Sequence, residues 1–281
     1  MSAHPQCKLR VSANRRWLEY ADGRPFFWLG DTAWELFHRT TREEADLYLG
    51  NRAGKGFTVI QAVALAEQDG LKTPNSYGHL PLVDCDPTKP ALGDKGYWDH
   101  VDYIVSRANA KGLLLGFLPT WGRHWQGKDS IFTPASVRIY GQWLGARYRE
   151  AGLIWILGGD RNIHSEAEHE LIAALAAGLR AGDGGNHLIT YHPLGPGRSS
   201  DYFHQDEWLD LNMYQSSHAA RDHDNGLFAE HDYALDPPKP TVDGEPRYEA
   251  LRIGFYNQDV ARHLHFDDYD ARQAAWWSLL A

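Results

Sequence analysis

The sequence is poor in cysteine. Its two, Cys7 and Cys85, are too few and too far apart for a disulfide framework or a zinc cluster, so both are read as free thiols. Long apolar runs are also missing. No stretch approaches the roughly 18 consecutive apolar residues of a membrane-spanning helix, and Met1 to Val11 has no apolar core of secretion-signal length. The expectation is a cytoplasmic chain with no membrane partner, or a secreted or periplasmic one if a leader has been removed. Positive charge is in deficit, with 28 Lys and Arg against 37 Asp and Glu and a net charge of −9. That balance, with no basic run interleaved with aromatics, argues against a nucleic-acid partner. There is no Gly-rich phosphate loop, serine nucleophile elbow or cysteine nucleophile context, and no cofactor is expected.

What the chain has in excess is aromatic rings, 11 Trp and 14 Tyr, in a sequence without membrane features. Sugar-binding proteins use such rings as flat platforms, because a sugar ring packs its C–H face on them while its hydroxyls seek polar partners. An oligosaccharide is therefore the expected partner.

Short apolar runs alternate with stretches of helical period, the pattern of a parallel sheet with crossover helices. Strands are predicted over residues 26–31, 58–65, 113–121, 153–160, 188–194, 209–215 and 240–245. Capping boxes at Thr41 with Glu44 and at Ser165 with Glu168, and Thr133 before Pro134, mark helix starts. Gly112 and Gly182 are read as helix terminators. Residues 9–25 read as a β-hairpin turning at Asp22-Gly23 and closing the barrel's bottom, and the long 66–96 loop hangs over the opposite, functional face. The fold class is α/β, a TIM-type (β/α)8 barrel with an N-terminal β-hairpin, in one domain over residues 1–281. Its eighth strand is missing from this chain, which stops within a helix at Trp276 to Ala281. Either the domain is C-terminally incomplete or the barrel is open on that side.

Barrel enzymes carry their chemistry at the C-terminal ends of the strands. Three acids sit there: Asp31 in Gly30-Asp31-Thr32, Asp160 in Gly158-Gly159-Asp160, and Glu245 in Asp243-Gly244-Glu245. Glycosidic cleavage needs one carboxyl kept protonated and another kept ionised, and Asp160 and Glu245, on the fourth and seventh strands, fit that pair by position. Strand-end acids can also merely cap a helix or pair with arginine, and Arg161 and Arg247 stand close by in sequence. Asp31 is assigned to orienting the substrate or a neighbouring group. Trp34, Trp121 and Trp125 are candidate stacking platforms, whereas Trp28 and Trp155 are read as core. Gln61, His124, Arg161, His192, Tyr214, Gln215 and Asp243 complete the expected substrate-binding set. The 15 histidines raise a metal-dependent alternative, but the first strand lacks a His-x-His ending and no metal ligands are assigned. A catalytically silent carbohydrate-binding barrel is the other alternative.

The segments Trp28-Leu29-Gly30-Asp31-Thr32-Ala33-Trp34, Leu157-Gly158-Gly159-Asp160 and Asp243-Gly244-Glu245-Pro246 with Tyr248, in this order, resemble those of the apiosidase-like glycoside hydrolases, family 140 and its uncharacterised relatives. The likeness runs from about Leu9 to Ala281. It implies a TIM-type glycosidase that removes apiose-containing units from pectin side chains, with Asp160 and Glu245 as the catalytic pair. Relatives continue into an eighth strand and are often exported, and this sequence departs from them in both respects.

Overall fold

A computed structural model describes residues 8–281 except 257, 258, 260 and 262, so the reading of Cys7 lies outside the described residues. Cys85 is a free thiol. The strands are β1 (Leu9–Val11), β2 (Leu18–Tyr20), β3 (Gly30–Thr32), β4 (Val59–Leu65), β5 (Leu114–Thr120), β6 (Leu153–Gly158), β7 (Ile189–His192), β8 (Gly197–Arg198), β9 (Asn212–Gln215) and β10 (Thr241–Asp243). The helices are α1 (Leu36–Arg39), α2 (Arg42–Gly54), α3 (Tyr97–Ala110), α4 (Pro134–Tyr148), α5 (Glu166–Asp183), α6 (Ser200–Phe203), α7 (Gly226–Tyr233) and α8 (Asp268–Leu280). Among the described residues, no helix is long and apolar enough to cross a membrane.

Strands β3 to β7 form one parallel sheet in sequence order, and β9 pairs in parallel with β10. The two sheets meet where Asp210 N–H donates to Ile189 O (2.9 Å) and Thr190 Oγ1 donates to Leu211 O (2.8 Å). These seven strands are the seven predicted, curled into a TIM-type wall. Among the described residues β3 pairs only with β4 and β10 only with β9, which leaves the wall open between them.

Residues along each strand alternate between two environments, as the pleat requires. Ile60, Ala62, Leu115, Phe117, Trp155, Leu157 and Tyr191 pack in the large cluster shared with the helices. Their neighbours Val63, Leu118, Ile156 and Met213 fill the barrel's interior with Trp121. Below them Leu18, Phe26, Val59, Leu114 and Leu211 form a plug joining the N-terminal segment to the strand starts. The hairpin does close the bottom, but β1 and β2 turn within residues 12–17, where Ser12 N–H bonds Trp17 O. Asp22-Gly23 makes a second turn that brings Pro25 back against Glu19.

Thr41 and Glu44 form the expected capping box, and Thr133 caps α4 with Ser136 as its partner. Ser165 accepts from Glu168 N–H, but Glu168 Oε2 reaches the amide of His164 instead of Ser165, so that box is half formed. Gly182 does not end α5; the left-handed cap is Gly184, at φ 73°. Gly182 lies instead where α4 and α5 touch, and a β-carbon there would sit 2.2 Å from Gln142 O.

Candidate active site

At the end of β6 the backbone passes through three consecutive left-handed residues, Gly158 (φ 87°), Gly159 (φ 83°) and Asp160 (φ 60°). Glycine adopts this region freely, while for a side-chain-bearing residue it is strained and needs support from its surroundings. The support is a run of four carbonyls, each with a donor. Trp125 Nε1 donates to Gly158 O (2.6 Å), Gly122 N–H to Gly159 O (2.9 Å), Arg161 Nη1 to Asp160 O (2.7 Å) and Tyr191 Oη to Arg161 O (2.6 Å). A β-carbon on Gly159 would lie 3.0 Å from Gly122 N, which is why the turn can pack so close to the end of β5.

The Asp160 carboxyl that this turn presents takes no hydrogen bond among the described residues; Arg161 Nη1 is 4.0 Å from Oδ2. Burial raises its pKa above the ordinary aspartate value, with His192 and Arg161 pulling it down and the charge of Glu245 pushing it up.

Glu245 has the opposite surroundings. Gln215 Nε2 donates to Oε2 (2.9 Å) and Tyr248 Oη to Oε1 (2.6 Å). His192 Nε2 lies 3.2 Å from Oε2, too oblique for a directed hydrogen bond, and His218 Nε2 lies 3.4 Å from Oε1. Burial alone would raise this carboxyl, but the contacts from His192, His218 and Tyr248 outweigh it and hold the pKa down to about 2. His192 moves the other way: burial pulls it down, and Glu245 and Asp160 together raise it above the usual histidine value. Tyr248 is itself fixed, because Thr32 Oγ1 (3.1 Å) and Trp34 Nε1 (3.2 Å) donate to its hydroxyl, leaving its proton for Glu245. His218 stacks on the Tyr248 ring at 4.8 Å and donates from Nδ1 to Pro246 O (3.0 Å).

Of the other expected residues, Gln61, Trp34, Trp121, His192 and Gln215 gather around this pair. Gln61 Nε2 donates to Gly244 O (2.7 Å), and Trp34 packs against both Trp121 (5.2 Å) and His192 (5.6 Å). Trp121 is only 3% exposed, so it floors the site from below. Several expectations are corrected. Trp125 is buried and spends its N–H on the Gly158 carbonyl, supporting the Asp160 turn instead of offering a platform. His124 donates to Ala66 O (2.9 Å) and anchors the 66–96 loop. Asp31 faces outward and is held by Tyr48 (2.9 Å) and by Arg52 on α2. Tyr214 faces outward and stacks on Phe228 (5.4 Å). Asp243 faces outward too, bound by Ser216, Asn225 and Ser278. Among the described residues, no three His, Cys, Asp or Glu side chains are grouped to hold a metal ion.

Thr32, His218 and Tyr248 also belong to the site and are absent from the set expected from the sequence. Tyr248 had a signal, three residues past Glu245 in a recognised motif; His218 had none, since it lies in a loop beyond β9.

A curled parallel barrel with two unlike carboxyl groups at its mouth is the architecture of the (β/α)-barrel glycoside hydrolases. Comparison with known proteins places the chain within them. The sequence profile of the apiosidase-like catalytic domain matches residues 12–281, and the chain belongs to that family. A family 5 glycoside hydrolase from Bacteroides vulgatus is similar at 34% identity and TM-score 0.87, over 99% of this chain and 62% of that one. Another structure, described as a glycoside hydrolase, matches at 35% identity and TM-score 0.87 over 99% of this chain and 65% of its own. The chain thus spans a little under two thirds of either. The endo-1,4-β-mannanase of Rhizomucor miehei, at 13% identity and TM-score 0.61 over 86% of this chain and 83% of its own, shares the fold. No curated protein matches.

Proposed function

We propose that this chain hydrolyses glycosidic bonds in plant-type oligosaccharides by a retaining, two-step mechanism. The observation that supports it is the split between the two carboxyl groups: Glu245 carries donors on both oxygens and is held ionised, while Asp160 carries none and is biased toward its protonated form.

In the first step a Glu245 oxygen attacks the anomeric carbon, the bond to the leaving oxygen breaks, and Asp160 gives that oxygen its proton. In the second, Asp160, now a carboxylate, takes a proton from water as the water attacks the same carbon and releases Glu245. Trp34 provides a partly exposed ring beside the reacting centre, and Gln61 and Gln215 have buried carbonyl oxygens without protein partners, available to sugar hydroxyls.

The test is a screen of pectin-derived oligosaccharides and aryl glycosides, followed by Asp160→Asn and Glu245→Gln on any substrate found. Each variant is expected to lose activity by a factor of 10² or more. Unchanged rates sink the assignment. Proton NMR of the first product formed reports retention or inversion directly. Binding without cleavage across the panel favours the silent carbohydrate-binding barrel instead.

A further inference from the structure

The chain beyond Glu245 folds back on itself, with Ile253 N–H bonded to Leu264 O (3.0 Å), Phe266 N–H to Leu251 O (2.9 Å) and Arg252 bridged to His265. Its apolar side chains divide. Ile253 and Phe266 are buried, whereas Phe255 and Tyr256 are 51% and 56% exposed. These two rings lie edge to face, with centroids 5.3 Å apart and planes at 77°. Single exposed apolar residues are ordinary, but adjacent large rings form a patch of the kind that marks a binding surface. Aromatic faces of this sort suit the C–H face of a sugar ring.

Direct contacts tie this pair to the reacting centre. Gly254 N–H donates to His218 O (2.7 Å), and Tyr256 Oη lies 3.5 Å from Oγ of Ser217, the residue whose amide bonds Glu245 O (3.3 Å). Phe255 stacks on the His218 ring at 6.1 Å and 30°, and the same imidazole stacks on Tyr248 at 4.8 Å and 23°. His218 is thus the middle ring of three. Tyr248 and His218 touch Glu245, through Tyr248 Oη at 2.6 Å and His218 Nε2 at 3.4 Å, and Phe255 is the ring open to solvent. One ring separates Phe255 from the carboxylate, so the sugar next to the one attacked is the unit that can cover it.

We propose that Phe255 and Tyr256 form a stacking platform that holds the sugar unit adjacent to the one attacked by Glu245. This rests on Glu245 being the nucleophile of the proposed function. The ligand class is an oligosaccharide of two or more units, whose second ring packs a C–H face against these side chains; a single sugar leaves the platform empty. Tyr256 Oη, whose one hydrogen bond among the described residues is the 3.5 Å contact with Ser217, is available to a hydroxyl of that second unit.

The test is a calorimetric titration of pectin-derived sugars, fractionated into single units and longer chains, into the Glu245→Gln protein, which prevents turnover. Adding Phe255→Ala or Tyr256→Ala is expected to weaken Kd for the longer chains by about tenfold, the scale of an aromatic stacking contact, and to leave binding of the single units unchanged. Phe255→Tyr, which keeps a ring, should bind as the parent does, and melting curves report whether each variant is folded. Equal losses for single units and longer chains mean that the rings act only through His218 and Ser217, and overturn the platform. Unchanged binding of the longer chains overturns it too, and a shift in molar mass by light scattering then makes the rings a contact between copies of this chain. Activity of the parent is read separately. If the parent cleaves and the ring variants bind normally, the platform falls and the hydrolase reading stands. If the parent cleaves nothing while the ring variants lose the longer chains alone, the platform stands and attack by Glu245 falls; a parent that binds no chain at all removes both.

Discussion

Asp160 combines a left-handed backbone, partial burial and a carboxyl without donors. A carboxyl whose folded pKa lies above its unfolded value opposes folding once the pH exceeds the unfolded value, because folding then disfavours the charge. Asparagine removes the charge and tolerates the left-handed region at least as well. Asp160→Asn is therefore expected to be inactive but more stable at pH 7, by about 1 kcal/mol, or roughly 2–4 °C in a protein this large. Melting curves should show the gap closing as pH falls below the ordinary aspartate range; a destabilised variant at pH 7 contradicts this account. For Glu245 the sign is reversed. Its depressed pKa makes the ionised form available well into the acid range, and Tyr248 contributes to that depression. Tyr248→Phe should therefore move the acid limb of the kcat/KM profile to higher pH and lower kcat/KM about tenfold or more, the scale of one hydrogen bond to a charge. Both carboxylates were legible in the sequence from their strand-end positions. Their different environments were not, because the groups around Glu245 come from residues 192, 215, 218 and 248, brought together only by folding.

At the scale of elements, the seven strands were readable because short, largely apolar runs alternate with stretches of helical period. Which face each side chain takes was legible too, but only through parity. Met213 and Gln215 point inward, so Tyr214 between them must point out, and the same count along β10 sends Asp243 away from Val242 and the barrel interior. Asp31, Tyr214 and Asp243 were placed in the site by proximity to strand ends where parity excluded them. Gly182 was misread for another reason: a glycine that ends a helix and one that lets two helices touch look alike in one dimension. In α4 and α5, Gly141, Gly145, Gly178 and Gly182 all face the partner helix, and a β-carbon on Gly145 would lie 2.4 Å from Leu179 O. Backbone carbonyls cannot step aside. Gly182→Ala should thus destabilise by about 1–3 kcal/mol, although alanine is the better helix former by about 1 kcal/mol. Gly54→Ala, at the end of α2 with nothing within 4 Å, should be neutral or slightly stabilising. Denaturant unfolding of the two variants decides; similar outcomes mean that the α4–α5 contact is looser than described.

On the scale of the whole molecule, the question is how Glu245 keeps its place where, among the described residues, β10 and β3 do not pair. The backbone of the Gly244-Glu245 turn is tied to β9 by Gly244 N–H to Tyr214 O (2.7 Å). It is tied to the far sheet by Gln61 alone among the described side chains that bond Gly244, its Nε2 reaching the Gly244 carbonyl at 2.7 Å from β4. The reach is possible because Gln61 pairs in register with Gly116 on β5, where a β-carbon would fall 2.9 Å from the glutamine's Cγ. Polar, buried and inside an apolar barrel, Gln61 is an expensive residue to keep unless its bond does something, and leucine of similar volume would suit the interior better. Gln61→Leu should leave the Gly244 carbonyl buried without its partner, at a cost of about 1–3 kcal/mol, partly offset by the gain in apolar burial. The net change in melting temperature is therefore expected to be small. Activity should respond far more, because a loosened turn misplaces the Glu245 carboxylate proposed to attack, and an ångström of misplacement can cost about 10²-fold in rate. A large fall in kcat with little change in melting temperature is the expected signature; if kcat holds, the Gln61 bond is not what fixes the turn.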